Sequence, residues 1–251
     1  MDGKPAERHR PLNIAHRGAS RAAPENTLTA FRKAVELGAD SIEFDVRLSG
    51  DGVPVVIHNA TVDATTDGKG AVAEMDLSKL RTLDAGGWFD RAFERERIPT
   101  LEEVLEHFGR RTKLNLELKE ERVLNRALVP AVVNLLEQRE LDQEVLVSCF
   151  NPYLLRQVRR LTPTVPLAVL YAKSPLPLRL LANLFLGEHP DAIHPHHTMV
   201  NAPVVAHAHA LGLRVHAWTV DERERMEALT NAGVDGIITN RPGLLRKVLE
   251  G

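Results

Sequence analysis

Cysteine is almost absent from this 251-residue chain. Cys149 stands alone, which excludes an internal disulfide framework and a zinc site built from several cysteines. Its place at the end of the apolar run 144–149 reads as core. A surplus of one charge is also missing: 32 Lys and Arg face 34 Asp and Glu, for a net −2. Without a basic excess, the chain does not read as a nucleic-acid binder. No apolar run approaches the ~20 residues of a membrane span; the nearest, 176–187, is short and contains Arg179. The first ten residues are polar and lack the apolar stretch of a secretory signal. The expectation is a soluble, cytoplasmic protein with no stable membrane insertion. Internal repeats and low-complexity tracts are lacking too. What is there is globular: 43% hydrophobic and 26% charged residues, in a length that can bury roughly 70–75% of its unfolded surface.

Short apolar runs alternate with amphipathic stretches along the whole chain. The runs are 12–15, 41–48, 53–57, 114–118, 145–149, 165–170, 192–194, 213–218 and 236–239. Helix-like segments fall at 25–37, 101–109, 123–139, 152–161, 176–186, 202–211, 222–232 and 243–249. Thr100 with Glu103 makes a capping box, and Asn151 before Pro152 sets an N-cap ahead of proline at the first helical position. Gly38, Gly212 and Gly233 sit where a left-handed residue ends a helix. Repeated strand–helix units predict a parallel sheet covered by helices, and eight helices at this length predict an α/β (β/α)8 TIM barrel, one domain over 1–251.

Nine runs for eight helices leave one strand over. Only 49–52 separates the second and third, too short for a parallel crossover and well suited to a hairpin. The return arm is expected over 53–58, with paired positions summing to about 101, so that Glu43 lies opposite His58. The polar, glycine-rich segment 59–98 has no slot in the alternation. It reads as a small insertion between strand two and helix two, over the barrel mouth.

Side chains at the C-terminal ends of barrel strands converge on one site. There the sequence places His16-Arg17-Gly18, Glu43-x-Asp45, His58-Asn59 and Asn115-x-Glu117-x-Lys119. Residues two apart in a strand share a face, so Glu43 joins Asp45, and Asn115 joins Glu117 and Lys119. Three carboxylates at one mouth repel each other unless a cation sits among them. An all-oxygen set suits one divalent cation, Mg²⁺ or Ca²⁺, rather than zinc. Two histidines beside it can serve as general base and general acid. Arg17 and Lys119 add the fixed positive charge a phosphate needs, and Gly18 allows close backbone approach. Three further features are weighed and set lower. His194-Pro195-His196-His197 has no carboxylate near it in sequence and reads as a loop rather than a metal site. Ser148 lacks a nucleophile elbow. The aromatics Trp88, Phe89 and Phe93 read as packing within the insertion.

The ordered set His16-Arg17-Gly18, Pro24-Glu25-Asn26-Thr27, Glu43-x-Asp45, His58, Glu117-x-Lys119 and Trp218-Thr219 resembles the glycerophosphodiester phosphodiesterase family over about 12–243. Thr65-Thr66-Asp67-Gly68-Lys69-Gly70 is similar to the family's insertion. The resemblance implies a phospholipase C-like barrel and metal-dependent hydrolysis of small glycerophosphodiesters to an alcohol and glycerol 3-phosphate. It implies Glu43, Asp45 and Glu117 as metal ligands, and His16 and His58 as the acid–base pair. Arg17 and Lys119 would bind phosphate, and Trp218 would line the substrate pocket. Asn59 and Asn240 stand where the family often carries Asp; neither is expected to touch the metal or acid–base set. A lysophospholipase D is the runner-up, tied to surplus apolar residues Leu178, Phe185 and Leu186. A silent phosphodiester-binding barrel is the reading from another class, and a paired acid and base speaks against it.

Overall fold

Eight parallel strands close on one another: β1 (Leu12–His16), β2 (Ser41–Leu48), β4 (Lys113–Leu118), β5 (Val145–Cys149), β6 (Leu167–Tyr171), β7 (Ala192–Pro195), β8 (Arg214–Ala217) and β9 (Gly236–Thr239). The ring is completed by β1, which pairs with β9 on one side and with β2 on the other, setting His16 beside Glu43. A short ninth strand, β3 (Pro54–Val56), runs antiparallel to β2. These elements belong to a computed structural model that describes residues 10–119, 127–172 and 190–251. The expected helix at 176–186 with its surplus apolar residues, and the expected helix start at 123, lie outside the described residues.

The helices among the described residues are α1 (Leu28–Glu36), α2 (Leu77–Leu80), α3 (Leu101–Phe108), α4 (Leu128–Gln138), α5 (Pro152–Leu161), α6 (Ala202–Ala210), α7 (Arg223–Ala232) and α8 (Pro242–Glu250). Their ends carry the expected signals. Thr100 and Glu103 form a reciprocal capping box on α3, and the Asn151 side chain accepts the Tyr153 N–H ahead of α5. Gly38, Gly212 and Gly233 all have φ between +74° and +84°. Helix α1 starts at Leu28, three residues later than the apolar pattern suggests. Thr27 caps it, and Asn26 takes a left-handed turn at φ +57°.

Alternation along each strand divides the barrel. Ile42, Phe44, Val46, Leu114, Leu116, Leu118, Val147 and Ile193 pack outward against the helices in one continuous core, while Glu43, Asp45, Asn115, Glu117, Ser148 and His194 take the intervening, inward positions. A second, separate apolar cluster joins Val55, Ile57, Val62, Val72, Leu80, Leu83, Ala85 and Ile98.

The hairpin between β2 and β3 forms, but its register differs from the expected one. Observed pairs are Val46–Val56, Arg47–Val55 and Leu48–Pro54, a sum of 102 rather than 101. The extra residue is Val53, which joins the turn because Ser49 engages it twice: Ser49 N–H donates to the Val53 carbonyl, and Ser49 Oγ accepts the Val53 N–H. Glu43 therefore does not lie opposite His58. Ile57 N–H instead reaches the Asp45 carbonyl at 3.0 Å, and pairing stops before His58.

Deep in the barrel, His194 and His216 are fully buried with ring centroids 4.9 Å apart. Their four ring nitrogens have no hydrogen-bond partner among the described protein groups. A Cβ at Gly236 would come within 2.8 Å of the His216 ring, so glycine there makes room for the imidazole. Burial, helped by Arg214, pulls His216 down to about 4. The unfolded chain thus binds a proton at 6.5 that the folded chain refuses until about pH 4. Stability from this group is intact above pH 6.5 and declines as pH falls toward 4, by about 3 kcal/mol. The drop in urea-unfolding free energy between neutral pH and pH 4.5 should accordingly be about 2 kcal/mol smaller in His216→Leu than in the natural chain; an unchanged drop would contradict this account.

Candidate active site

At the C-terminal end of β1 the chain turns through two consecutive left-handed residues, Arg17 (φ +56°) and Gly18 (φ +82°). The turn aims the Arg17 N–H at Glu43 Oε2, 2.9 Å away, and brings Gly18 against α1. A Cβ on Gly18 would lie 2.7–2.8 Å from the backbone and Cβ of Ala30. Gly18→Ala combines a disfavoured φ with that clash and should lose about 2 kcal/mol or more of stability. Equal melting temperatures for variant and natural chain would refute this.

The segment Pro24–Thr27 folds back over the same place. Glu25 Oε1 holds Arg17 Nη1 at 2.9 Å. Asn26 donates from Nδ2 to Asp45 Oδ2 at 2.8 Å and accepts the Asp45 N–H at 3.3 Å. Thr27 caps α1. Glu25 and Asn26 thus brace an arginine and a carboxylate, a task no local pattern reveals because their partners lie eight and 19 residues away.

Glu43 and Asp45 on β2 stand beside Asn115 and Glu117 on β4 in direct register. Glu43, Asp45 and Glu117 are all buried, and one oxygen from each lies within 4.8 Å of the other two. Lys119 Nζ bridges Glu117 Oε1 (2.6 Å) and Asp45 Oδ1 (3.2 Å), while Arg17 Nε lies 3.3 Å from Asp45 Oδ2. Two cations against three carboxylates leave the cluster short of positive charge. Burial, then the charges of Asp45 and Glu117, push the Glu43 carboxyl well above its ordinary range. Burial and Asp45 push Glu117 up to about 7. Asp45 goes the other way: burial opposes its charge, but Lys119, Arg17 and His58 outweigh it and hold the group low. A compact, buried, all-oxygen donor set with a charge deficit fits a hard divalent cation.

His16 and His58 face the same cavity, of about 210 Å³. Both imidazoles are biased toward the neutral form. Burial and then Arg17 bring His16 down to about 4 against the pull of Asp45. Burial lowers His58 too, with Asp45 opposing and Arg17 and Lys119 assisting. Each histidine also has an asparagine on its Nδ1: Asn240 Oδ1 lies 2.7 Å from His16, and Asn59 Oδ1 lies 2.7 Å from His58. The sequence expectation that Asn59 and Asn240 stay clear of the acid–base set is therefore wrong. For Asn240 the reason is barrel closure, which brings the end of β9 against the end of β1.

The remaining wall holds Asn115, Ser148, His194, Phe150 and Trp218. Trp218 Nε1 donates to the His194 carbonyl at 2.7 Å, and its ring meets Phe150 and His196 edge to face at 5.5 and 5.3 Å. Lys119 Nζ lies 5.9 Å from the Phe150 ring centre. Phe150, 45% exposed, was not singled out from the sequence, where it follows Cys149 with no signal of its own. The structure brings all eight expected residues to this one region: seven line the cavity, and Asp45 lies just beneath it, bonded to Arg17, Lys119 and Asn26. His194 lines the wall but not with His196 and His197 as a metal cluster; it points inward, stacked on His216.

Comparison with known proteins agrees with this geometry. The sequence model of the glycerophosphoryl diester phosphodiesterase family matches residues 16–244. A glycerophosphodiester phosphodiesterase of Caldanaerobacter subterraneus subsp. tengcongensis is 40% identical, over 93% of this chain and 96% of its own. Among solved structures, an Oleispira antarctica phosphodiesterase in complex with the product sn-glycerol-3-phosphate superposes with a TM-score of 0.86, at 33% identity over 95% of this chain and 96% of that one. A glycerophosphodiester phosphodiesterase from Agrobacterium tumefaciens gives 0.81, at 32% identity over 93% and 98%. The chain belongs to the glycerophosphoryl diester phosphodiesterase family.

Proposed function

We propose that the protein hydrolyses small glycerophosphodiesters to an alcohol and glycerol 3-phosphate, with Glu43, Asp45 and Glu117 holding one Mg²⁺ or Ca²⁺ ion and His16 and His58 moving the protons. The observation that carries this reading is the placement of two histidines, three carboxylates, Arg17 and Lys119 around one small cavity. A bound divalent cation supplies Lewis-acid polarisation of the phosphoryl oxygen. Arg17 and Lys119, each tied to Asp45, present fixed positive charge to the remaining phosphate oxygens. One imidazole takes the proton of the attacking hydroxyl as its oxygen bonds to phosphorus. The other delivers a proton to the departing alkoxide as the second P–O bond breaks, so charge and atoms balance. Attack by water gives glycerol phosphate directly, whereas attack by the substrate glycerol gives a cyclic phosphate that water opens in a second step with the two imidazoles exchanging roles.

Trp218 and Phe150 form the apolar side of the cavity and give the alcohol portion a wall to pack against. The segment 59–98 acts as an insertion over the mouth, and the apolar cluster its residues make with Val55 and Ile57 of the β3 arm, apart from the main core, supports that reading. A small-molecule substrate fits the cavity volume. Among the described residues, no helix is long and apolar enough to cross a membrane.

The deciding assay measures release of the head-group alcohol, choline or ethanolamine, from glycerophosphocholine, glycerophosphoethanolamine and lysophosphatidylcholine, each with Mg²⁺, Ca²⁺ or chelator. Metal-dependent turnover of the first two is expected. Full activity after verified metal removal, or no turnover of any diester, would sink the reading. Preference for the lysophospholipid, with efficiency rising with acyl length at about 0.8 kcal/mol per buried methylene, would replace it with the lysophospholipase D alternative.

A further inference from the structure

We propose that Asp221 and Asn240 are positioning residues that lock His16 in one tautomer, protonated on Nδ1 with its lone pair on Nε2; this rests on the reading of His16 as one of the acid–base pair. An asparagine amide has an acceptor at one end and donors at the other, and the two ends are told apart by their partners. For Asn240 the partner is a carboxylate. Asp221 Oδ2 lies 2.7 Å from Asn240 Nδ2, while Asp221 Oδ1 accepts the Asn240 backbone N–H at 2.9 Å and the Thr239 hydroxyl at 3.1 Å. An ionised carboxylate only accepts hydrogen bonds, so the amide must turn its NH₂ toward Asp221.

Its oxygen is then fixed on the opposite side, 2.7 Å from His16 Nδ1 and 2.8 Å from Ser20 Oγ. A carbonyl oxygen at 2.7 Å requires a proton on Nδ1. A neutral imidazole carries only one ring N–H, so Nε2 is left as the basic nitrogen. The opposite tautomer would need the amide reversed, with its oxygen pressed against the Asp221 carboxylate in place of a charge-assisted bond. The other histidine is held differently. Asn59 Oδ1 lies 2.7 Å from His58 Nδ1, but among the described residues nothing accepts from Asn59 Nδ2, so that amide can turn and His58 can exchange tautomers. The two histidines look alike in sequence, and only His16 has its proton placed by a carboxylate one residue removed.

The test uses the full-length protein labelled with ¹⁵N-histidine, with His16 assigned by loss of its signals in His16→Gln. At neutral pH, long-range ¹⁵N–¹H spectra should show His16 with a proton on Nδ1, where Asn240 Oδ1 accepts it, and none on Nε2. Asp221→Asn frees the amide to turn, so the His16 signals should move toward a tautomer mixture and kcat should fall about 10–100-fold while KM changes by less than about threefold. Asn240→Leu, which keeps volume and removes the acceptor, should do the same or more. A natural protein with His16 protonated on Nε2 would overturn the proposal even if both variants fail to fold. So would an Asp221→Asn protein that keeps a single tautomer and full kcat. Undiminished turnover in His16→Gln would instead remove the catalytic reading of His16 and leave the tautomer result to stand or fall separately.

Discussion

Glu43→Gln should lose about 10³-fold or more in kcat, together with the rise in melting temperature expected of the natural protein when Mg²⁺ or Ca²⁺ is added. The size follows from the several kcal/mol that metal polarisation contributes to such a transition state, at 1.36 kcal/mol per tenfold. Glutamine keeps an oxygen to accept the Arg17 N–H that Glu43 Oε2 now receives, so the turn after β1 survives. It removes a charge that burial, Asp45 and Glu117 all disfavour, so the metal-free variant should melt at or above the natural protein. Metal at a hundred times its Kd adds about 2.7 kcal/mol to a protein that binds it only when folded. That is a rise of several degrees at this chain length, and the variant should show none. Asp45→Asn is the harsher change. It takes the counter-charge from both Arg17 and Lys119 and should lower stability as well as turnover. A Glu43→Gln protein with unaltered kcat and an unaltered metal-induced melting shift would leave the carboxylate cluster without a role.

How far such a site can be read in advance depends on the range of the interactions that build it. The shared face of Glu43 and Asp45, and that of Asn115, Glu117 and Lys119, follow from the two-residue period of a strand and were legible. So were the caps at Thr100 and Asn151 and the glycines at 38, 212 and 233, each a local rule satisfied within a few residues. The β2–β3 register was not, because one added turn residue depends on how Ser49 and Val53 choose to bond. The partners of the catalytic candidates were hidden for a different reason. Glu25 on Arg17, Asn26 on Asp45 and Asn240 on His16 are contacts made by chain closure. A sequence shows that these residues are polar and nothing about what they meet. The same holds for His194 and His216, whose stacking needs β7 and β8 side by side.

The two histidines give the other large expected effect. His16→Ala and His58→Ala should each lower kcat by about 10²–10⁴ with a much smaller change in KM, because both rings face the cavity while Arg17 and Lys119 keep its fixed positive charge in either variant. The two losses can be told apart by their pH dependence and by the leaving group. Burial and Arg17 drive both toward the neutral form, so the ring that starts as the acid depends on the anionic phosphodiester to hold its proton. The natural enzyme should show a bell-shaped rate profile: the acid side falls as the base becomes protonated, and the alkaline side falls as the acid loses its proton. Each alanine variant should keep one limb and lose the other. A diester with a nitrophenol leaving group needs no proton on the departing oxygen, so it should restore turnover in the variant that lacks the acid and leave the other variant slow. Rescue of both variants, or near-natural kcat in both on the alkyl diester, would show that the protons travel by another route.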